Sequence, residues 1–393
     1  MKLAKDKNLA LPTQEDIGRA FLELKTVKER IAFRKEMEDY GKAIGDLCRD
    51  LGIAVNFAPV LDTVDDIDGD NFMEYNDQAY GEEPYVVQLL GFHFVKGLNS
   101  VDGVMSSPKH FFGTGKSPND PHHNEKQQIT ETTKRDGSVL PFKDFIQGRL
   151  LYDKIIRRYE HDTKSFDYYL RRHLGKIRRS KSGRSTRRLN QARKDYRAFL
   201  KTHDLTVRDV PEDFMEMPKI QGIMVSHSQN FTNPDTPGTI SSEMIKRRLQ
   251  QNLGFHGIVF TDDLNMGATE NFVNGRASEV DNWPAEAFAS SLAAGSTMPM
   301  LLHHSGEIDA IVERVQRAID DKEDFDGDGK ADITIDIINE AVRLVLETKA
   351  DAGLLKKSRS SRSRSMFSGK KRPQRTVYEN NSREYLRKTI GRR

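Results

Sequence analysis

The sequence predicts an α/β protein built as a (β/α)8 TIM-type barrel, on three observations. Short apolar runs alternate with longer amphipathic stretches, the pattern of parallel strands joined by helices. The strand-like runs end on ionisable residues: Asp62, then Lys109 and His110, then His227, then Asp262 with Asp263. A barrel builds its site from such groups, because its loops converge on the carboxyl ends of the strands. A doubly wound sheet also places ligands at strand ends but usually carries a glycine-rich phosphate loop, and none follows these runs.

In chain order, Asp16–Leu51 has helical spacing, with Ile17, Phe21, Leu24, Val27, Ile31, Ile44, Leu47 and Leu51 recurring near 3.6. IAVNFAPVLD (53–62) reads as a strand and Tyr85–Gly97 as a helix, followed by the run GVMSSPKHF (103–111). GIMVSH (222–227), a helix through Ile245 to Leu253, and GIVFTDD (257–263) come next. Ala285–Ala294 reads as a helix, STMPMLL (296–302) as a strand, and Ile308–Ile319 and Ile337–Leu355 as helices. Five or six strands are recognisable in this pattern. Eight close a barrel of this kind, so the opening strands are expected to lie before Met1.

Net charge is +3, which by itself implies no polyanionic partner, but the basic residues are concentrated. Arg149–Arg208 holds nineteen Lys/Arg against six Asp/Glu, and KKSRSSRSRSMFSGKKRPQR (356–375) is a second basic run. Without them the remainder is acidic. The expected organisation is a first barrel part over 1–148, a basic helical insertion over 149–218, a second barrel part over 219–355, and a basic, largely disordered tail over 356–393. No apolar stretch approaches the ~20 residues that span a bilayer. The opening residues lack the apolar core of a secretory signal, and the single cysteine, Cys48, suits a reducing compartment. A cytoplasmic location is the expectation.

Two segments carry chemistry. KHFFGTGKSPNDPHH (109–123) sets a basic pair at a strand end, then a glycine-rich loop, then Asp120 and His122 two residues apart. A carboxylate beside a histidine can fix the imidazole tautomer and support a proton donor and acceptor; alone, the same residues also read as a surface turn. GIVFTDDLNM (257–266) delivers a carboxylate on an apolar strand, or supplies a helix N-cap.

Together with FAPVLD (57–62) and GIMVSH, these blocks resemble glycoside hydrolase family 3, in its β-N-acetylglucosaminidase (β-N-acetylhexosaminidase) branch. AYGEEP (79–84) and AAGSTMPML (293–301) are weaker matches. The resemblance implies a retaining glycosidase acting on an amino-sugar glycan, without a cofactor. In it Asp262 is the nucleophile, and His122, paired with Asp120, is the acid/base. Asp62, Lys109, His110 and His227 are the expected substrate-binding residues, with Asp263 a capping group. A neutral histidine base does not repel an anion, so a phosphorylase using the same residues is an alternative. An inactive relative that binds through its basic insertion is another. The chain departs from the family pattern at Phe112, Thr114, Gln78, Ser296 and Thr297.

Aromatic residues recur among the arginines of 149–208, which suits either an anionic partner or a helical hairpin that forms an oligomer contact. DFDGDGKAD (324–332) spaces Asp324, Asp326, Asp328 and Asp332 as a calcium loop does, with Ile335 where the bidentate glutamate would stand. A weak calcium site and a plain acidic turn are both open readings of it.

Overall fold

The structure is a computed structural model that describes residues 12–64, 77–115, 139–146, 220–229, 235–276, 282–302 and 305–355. The basic insertion and the tail lie outside the described residues, as do Asp120 and His122.

The stretch of helical spacing over 16–51 is two helices, α1 (Gln14–Glu23) and α2 (Val27–Asp50). The break at Leu24–Thr26 was written in the sequence as two capping boxes. The Thr13 hydroxyl accepts from Asp16 N while Asp16 reaches back to Thr13 N, and Thr26 and Glu29 repeat the arrangement. Each box satisfies amide groups that a helix start leaves unpaired.

Among the described residues five parallel strands follow in chain order: β1 (Val55–Asn56), β2 (Met105–Ser106), β3 (Gly222–Val225), β4 (Ile258–Asp263) and β5 (Met298–Met300). β1 pairs with β2, and β3–β4–β5 form a second ladder. The two are joined where Phe111 N donates to the Met224 carbonyl and Ser226 N to the Phe111 carbonyl. Neighbours in space are thus neighbours in sequence. The crossover after β1 is α3 (Pro84–Leu98); α4 (Leu140–Ile146) precedes β3. A helix with i→i+5 bonding, Glu243–Asn252, connects β3 to β4. α5 (Gly267–Arg276) and α6 (Trp283–Ala293) lead to β5, and α7 (Ile308–Asp320) and α8 (Ile335–Asp351) close the described chain. The described strands do not themselves close a ring. No helix among the described residues is long and apolar enough to cross a membrane.

Strand side chains alternate between two apolar faces. Ile223, Val225 and Val259 point into the main core, with α3 and α2 behind it. Met224, Ile258 and Phe260 point the other way, against Phe57, Met300 and α8 residues Leu344 and Val345. α3 is buried nearly all round, through Val86, Val87, Leu89, Leu90, Phe92, Val95 and Leu98, because it is sandwiched between strands and α2. Past the end of β1, the first residue of α1 binds the main chain at Val60. The Gln14 side-chain amide accepts from Val60 N at 3.0 Å and donates to the Val60 carbonyl at 3.1 Å.

Between α2 and α3, His93 Nδ1 donates to Glu38 at 2.8 Å and Lys96 reaches the same oxygen at 3.0 Å. Burial pushes the His93 imidazole down to about 4, against the hydrogen bond to Glu38 that favours its charged form. Unfolded, it titrates near 6.5. The unfolded chain therefore binds a proton that the native chain refuses between those values, and stability falls as pH drops through that window. The slope is at most about 1.4 kcal/mol per pH unit. Denaturant unfolding at pH 6.5 and 4.5 should show a smaller loss in His93→Gln than in the wild type; equal losses would exclude His93 as the source.

Candidate active site

The carboxyl ends of β1 to β4 bring Asp62, Lys109, His110, His227, Asp262 and Asp263 together, as their positions after apolar strands require. Asp262 is carried by the last turn of β4, its side chain 14 % exposed. Its Oδ1 accepts from Asp263 N at 3.0 Å, and its Oδ2 lies 3.8 Å from His110 Nε2. Burial pushes this carboxyl up, but the attraction of His110 first, then of Lys109, together with the backbone bond outweighs it and holds the group below the ordinary carboxylate range. Asp262 is thus an ionised, poorly solvated carboxylate facing cations, which is what a nucleophile toward a developing positive centre requires.

Asp62 is fully buried. Its Oδ2 accepts from both His110 N (3.1 Å) and His110 Nδ1 (2.7 Å), and its Oδ1 from Thr114 N (2.7 Å). The protein engages both oxygens of the expected sugar-binding carboxylate. His227, the other expected contact from a strand end, is likewise bonded within the protein. Its Nε2 donates to the Asp263 carbonyl at 3.0 Å, and its Nδ1 lies within hydrogen-bond distance of the hydroxyls of Thr239 (2.8 Å) and Thr269 (3.0 Å). Burial pushes its imidazole down, toward the neutral form. His227 is a strut under the end of β4. Thr239 and Thr269, which orient it, were not legible, since isolated threonines in a loop and a helix carry no pattern.

Asp263 caps the turn after β4, accepting at Oδ1 from Asn265 N (3.1 Å), Asn265 Nδ2 (2.9 Å) and Leu302 N (3.2 Å), as expected of a capping group. Ser296 and Thr297, at a departure from the family pattern, are structural. The Ser296 hydroxyl meets Ser291 Oγ at 2.7 Å, and Thr297 Oγ1 accepts from Val259 N. Lys109 is half-buried beside His110. Phe112 is buried, and the Arg248 guanidinium sits 4.9 Å from its ring centre.

The 324–332 loop lies apart. Oxygens of Asp324, Asp326 and Asp332 lie within 4.8 Å of one another, and Lys246 is ion-paired with Asp332 and Asp326. That ammonium supplies positive charge the carboxylates need. Lys246→Met should lower stability by about 1–2 kcal/mol, because Asp332 is buried and would keep only its backbone donors, Phe325 N and Asp326 N. Thermal unfolding of the variant checks this; an unchanged midpoint would mean that the pair contributes nothing.

The profile of the glycosyl hydrolase family 3 N terminal domain matches residues 20–152 and 215–328, more than half of the chain. Beta-hexosaminidase A of Pseudoalteromonas piscicida is 24% identical over 275 residues, covering 68% of this chain and 33% of that protein. A beta-hexosaminidase of Nitrosomonas eutropha is 23% identical over 270 residues, covering 67% and 52%. The chain therefore spans between a third and about half of the length of these relatives. Among solved structures, a beta-N-acetylhexosaminidase from Beutenbergia cavernae shares the fold with a TM-score of 0.55 at 19% identity, covering 86% of this chain and 72% of that one. A family 3 beta-N-acetylglucosaminidase from Paenibacillus sp. also aligns with a TM-score of 0.55 at 19% identity, covering 91% and 49%.

Proposed function

This chain belongs to glycosyl hydrolase family 3, and from that premise we propose that it is a glycosidase releasing β-linked N-acetylhexosamine with retention of configuration. We read the five-stranded parallel wall as part of a (β/α)8 barrel, with the site at the carboxyl ends of its strands. The observation that carries the reading is Asp262: an ionised, largely buried carboxylate at the end of β4, faced by His110 and Lys109. In this reading Asp262 attacks the anomeric carbon and forms a glycosyl–enzyme. His122, oriented by Asp120, first protonates the leaving oxygen and then activates water. The naming of relatives as beta-hexosaminidases supports the amino-sugar class of substrate.

Incubation with a 5-fluoro N-acetylhexosaminyl donor, followed by intact-mass measurement, tests the covalent step. One glycosyl unit should add to the wild type and none to Asp262→Asn. No adduct on the wild type, or an adduct that persists in the variant, would remove the nucleophile from this mechanism.

A further inference from the structure

We propose that Asp62 is a positioning residue that acts on Asp262 through His110. The observation is a fixed line of groups from β1 to β4. One Asp62 oxygen holds both the backbone N–H and the ring Nδ1 of His110, so the ring can neither turn nor slide relative to its own main chain. The other oxygen is anchored by Thr114 N, which ties the loop after His110 to the same carboxylate. A carboxylate only accepts, so the ring proton is held on Nδ1. A charged ring then directs its second N–H, on Nε2, toward Asp262 Oδ2, 3.8 Å away. Among the described residues the other groups at this centre are Lys109 from the same strand end, Asp262 and Asp263 from β4, and His227 from β3, which burial pushes toward its neutral form. Among these groups His110 presents its Nε2 to the nucleophile, with the Asp62 carboxylate behind it.

The kinetic arm of the test rests on the glycosidase reading; the spectroscopic arm does not. Asp62→Asn keeps an acceptor for Nδ1–H but removes the charge that balances a charged ring. Direct removal of an anion would ease ionisation of Asp262 and shift the acidic limb of the kcat/KM profile to lower pH. Action through His110 shifts it the other way, by about one pH unit, because the supporting cation is weakened. His110→Gln should produce the same upward shift, and the double variant Asp62→Asn/His110→Gln should add nothing further. A limb that stays in place or moves down, an additive double variant, or a loss confined to KM would overturn the proposal. The last result would make Asp62 a direct ligand contact. If Asp62→Asn fails to fold, an unshifted limb in His110→Gln is sufficient to reject it. Imidazole nitrogen NMR at the pH of the wild-type limb, with His110 assigned from the His110→Gln spectrum, needs no turnover. A charged His110 ring in the wild type and a neutral one in Asp62→Asn supports the link, whereas identical rings overturn it. Absence of turnover in the wild type with the ring difference intact would sink the glycosidase reading alone.

Discussion

Asp262→Asn is expected to lower kcat on N-acetylhexosaminides by on the order of 10⁴-fold or more, the scale on which a covalent mechanism collapses when its nucleophile is removed. The fold should survive. The substituted amide still offers an oxygen to Asp263 N, and removing a buried charge relieves its desolvation, which offsets the lost attraction to His110 and Lys109. The unfolding midpoint should therefore stay within a few degrees of the wild type while turnover vanishes. Kinetics on an activated aryl glycoside beside a thermal melt separates the two quantities. Activity within tenfold of the wild type would mean that another group forms the bond. A collapse of the midpoint would mean that lost activity reports on folding.

The largest expected effect on stability lies far from the site, at the crossing of α2 and α3. A Cβ on Gly97 would fall 1.9 Å from the Glu38 carbonyl oxygen, and one on Gly41 would fall 2.2 Å from that of Phe94. The two helices thus meet backbone to backbone at reciprocal glycines, closer than any side chain permits. Gly97→Ala must push them apart by more than an ångström, and neighbours in that layer such as Val95 and Leu98 are fully buried. Overpacking of this kind costs about 3 kcal/mol. For a chain of 393 residues that corresponds to a fall in Tm of roughly 3–5 °C. A fall of less than about 2 °C would show that the layer yields. A second measure is His93, whose bond to Glu38 spans the same crossing, so the acid sensitivity should change with the variant.

Both glycines were visible in the sequence, yet nothing there marked them as a crossing point, because close approach is a property of two helices and each was read alone. What was legible followed from local rules. The apolar runs ending at Asp62, His110, His227 and Asp262 were recognisable because a strand that delivers a charge to a loop must change abruptly from apolar to polar. The same rule says nothing about what the charge faces. It could not separate Asp262, directed at cations, from Asp62 and His227, whose polar atoms the protein engages. The split of the first helix at Thr26 was present as Thr13/Asp16 and Thr26/Glu29, four residues that helical periodicity passes over. The wide turn of Glu243–Asn252 keeps an apolar stripe close to that of an ordinary helix, so the spacing of Met244, Ile245 and Leu249 could not reveal its i→i+5 bonding.

Gln14 has a consequence for how this protein meets other polypeptides. A peptide group and a glutamine amide carry the same donor and acceptor, so one side chain can impersonate a neighbouring chain for the length of a single residue. At Val60 that impersonation is complete, and an incoming strand finds no vacancy there. Eviction would strand a buried amide and two main-chain groups at once, each worth roughly 1–3 kcal/mol when left unsatisfied. Recruitment of a strand at Val60 is thereby opposed by a single glutamine.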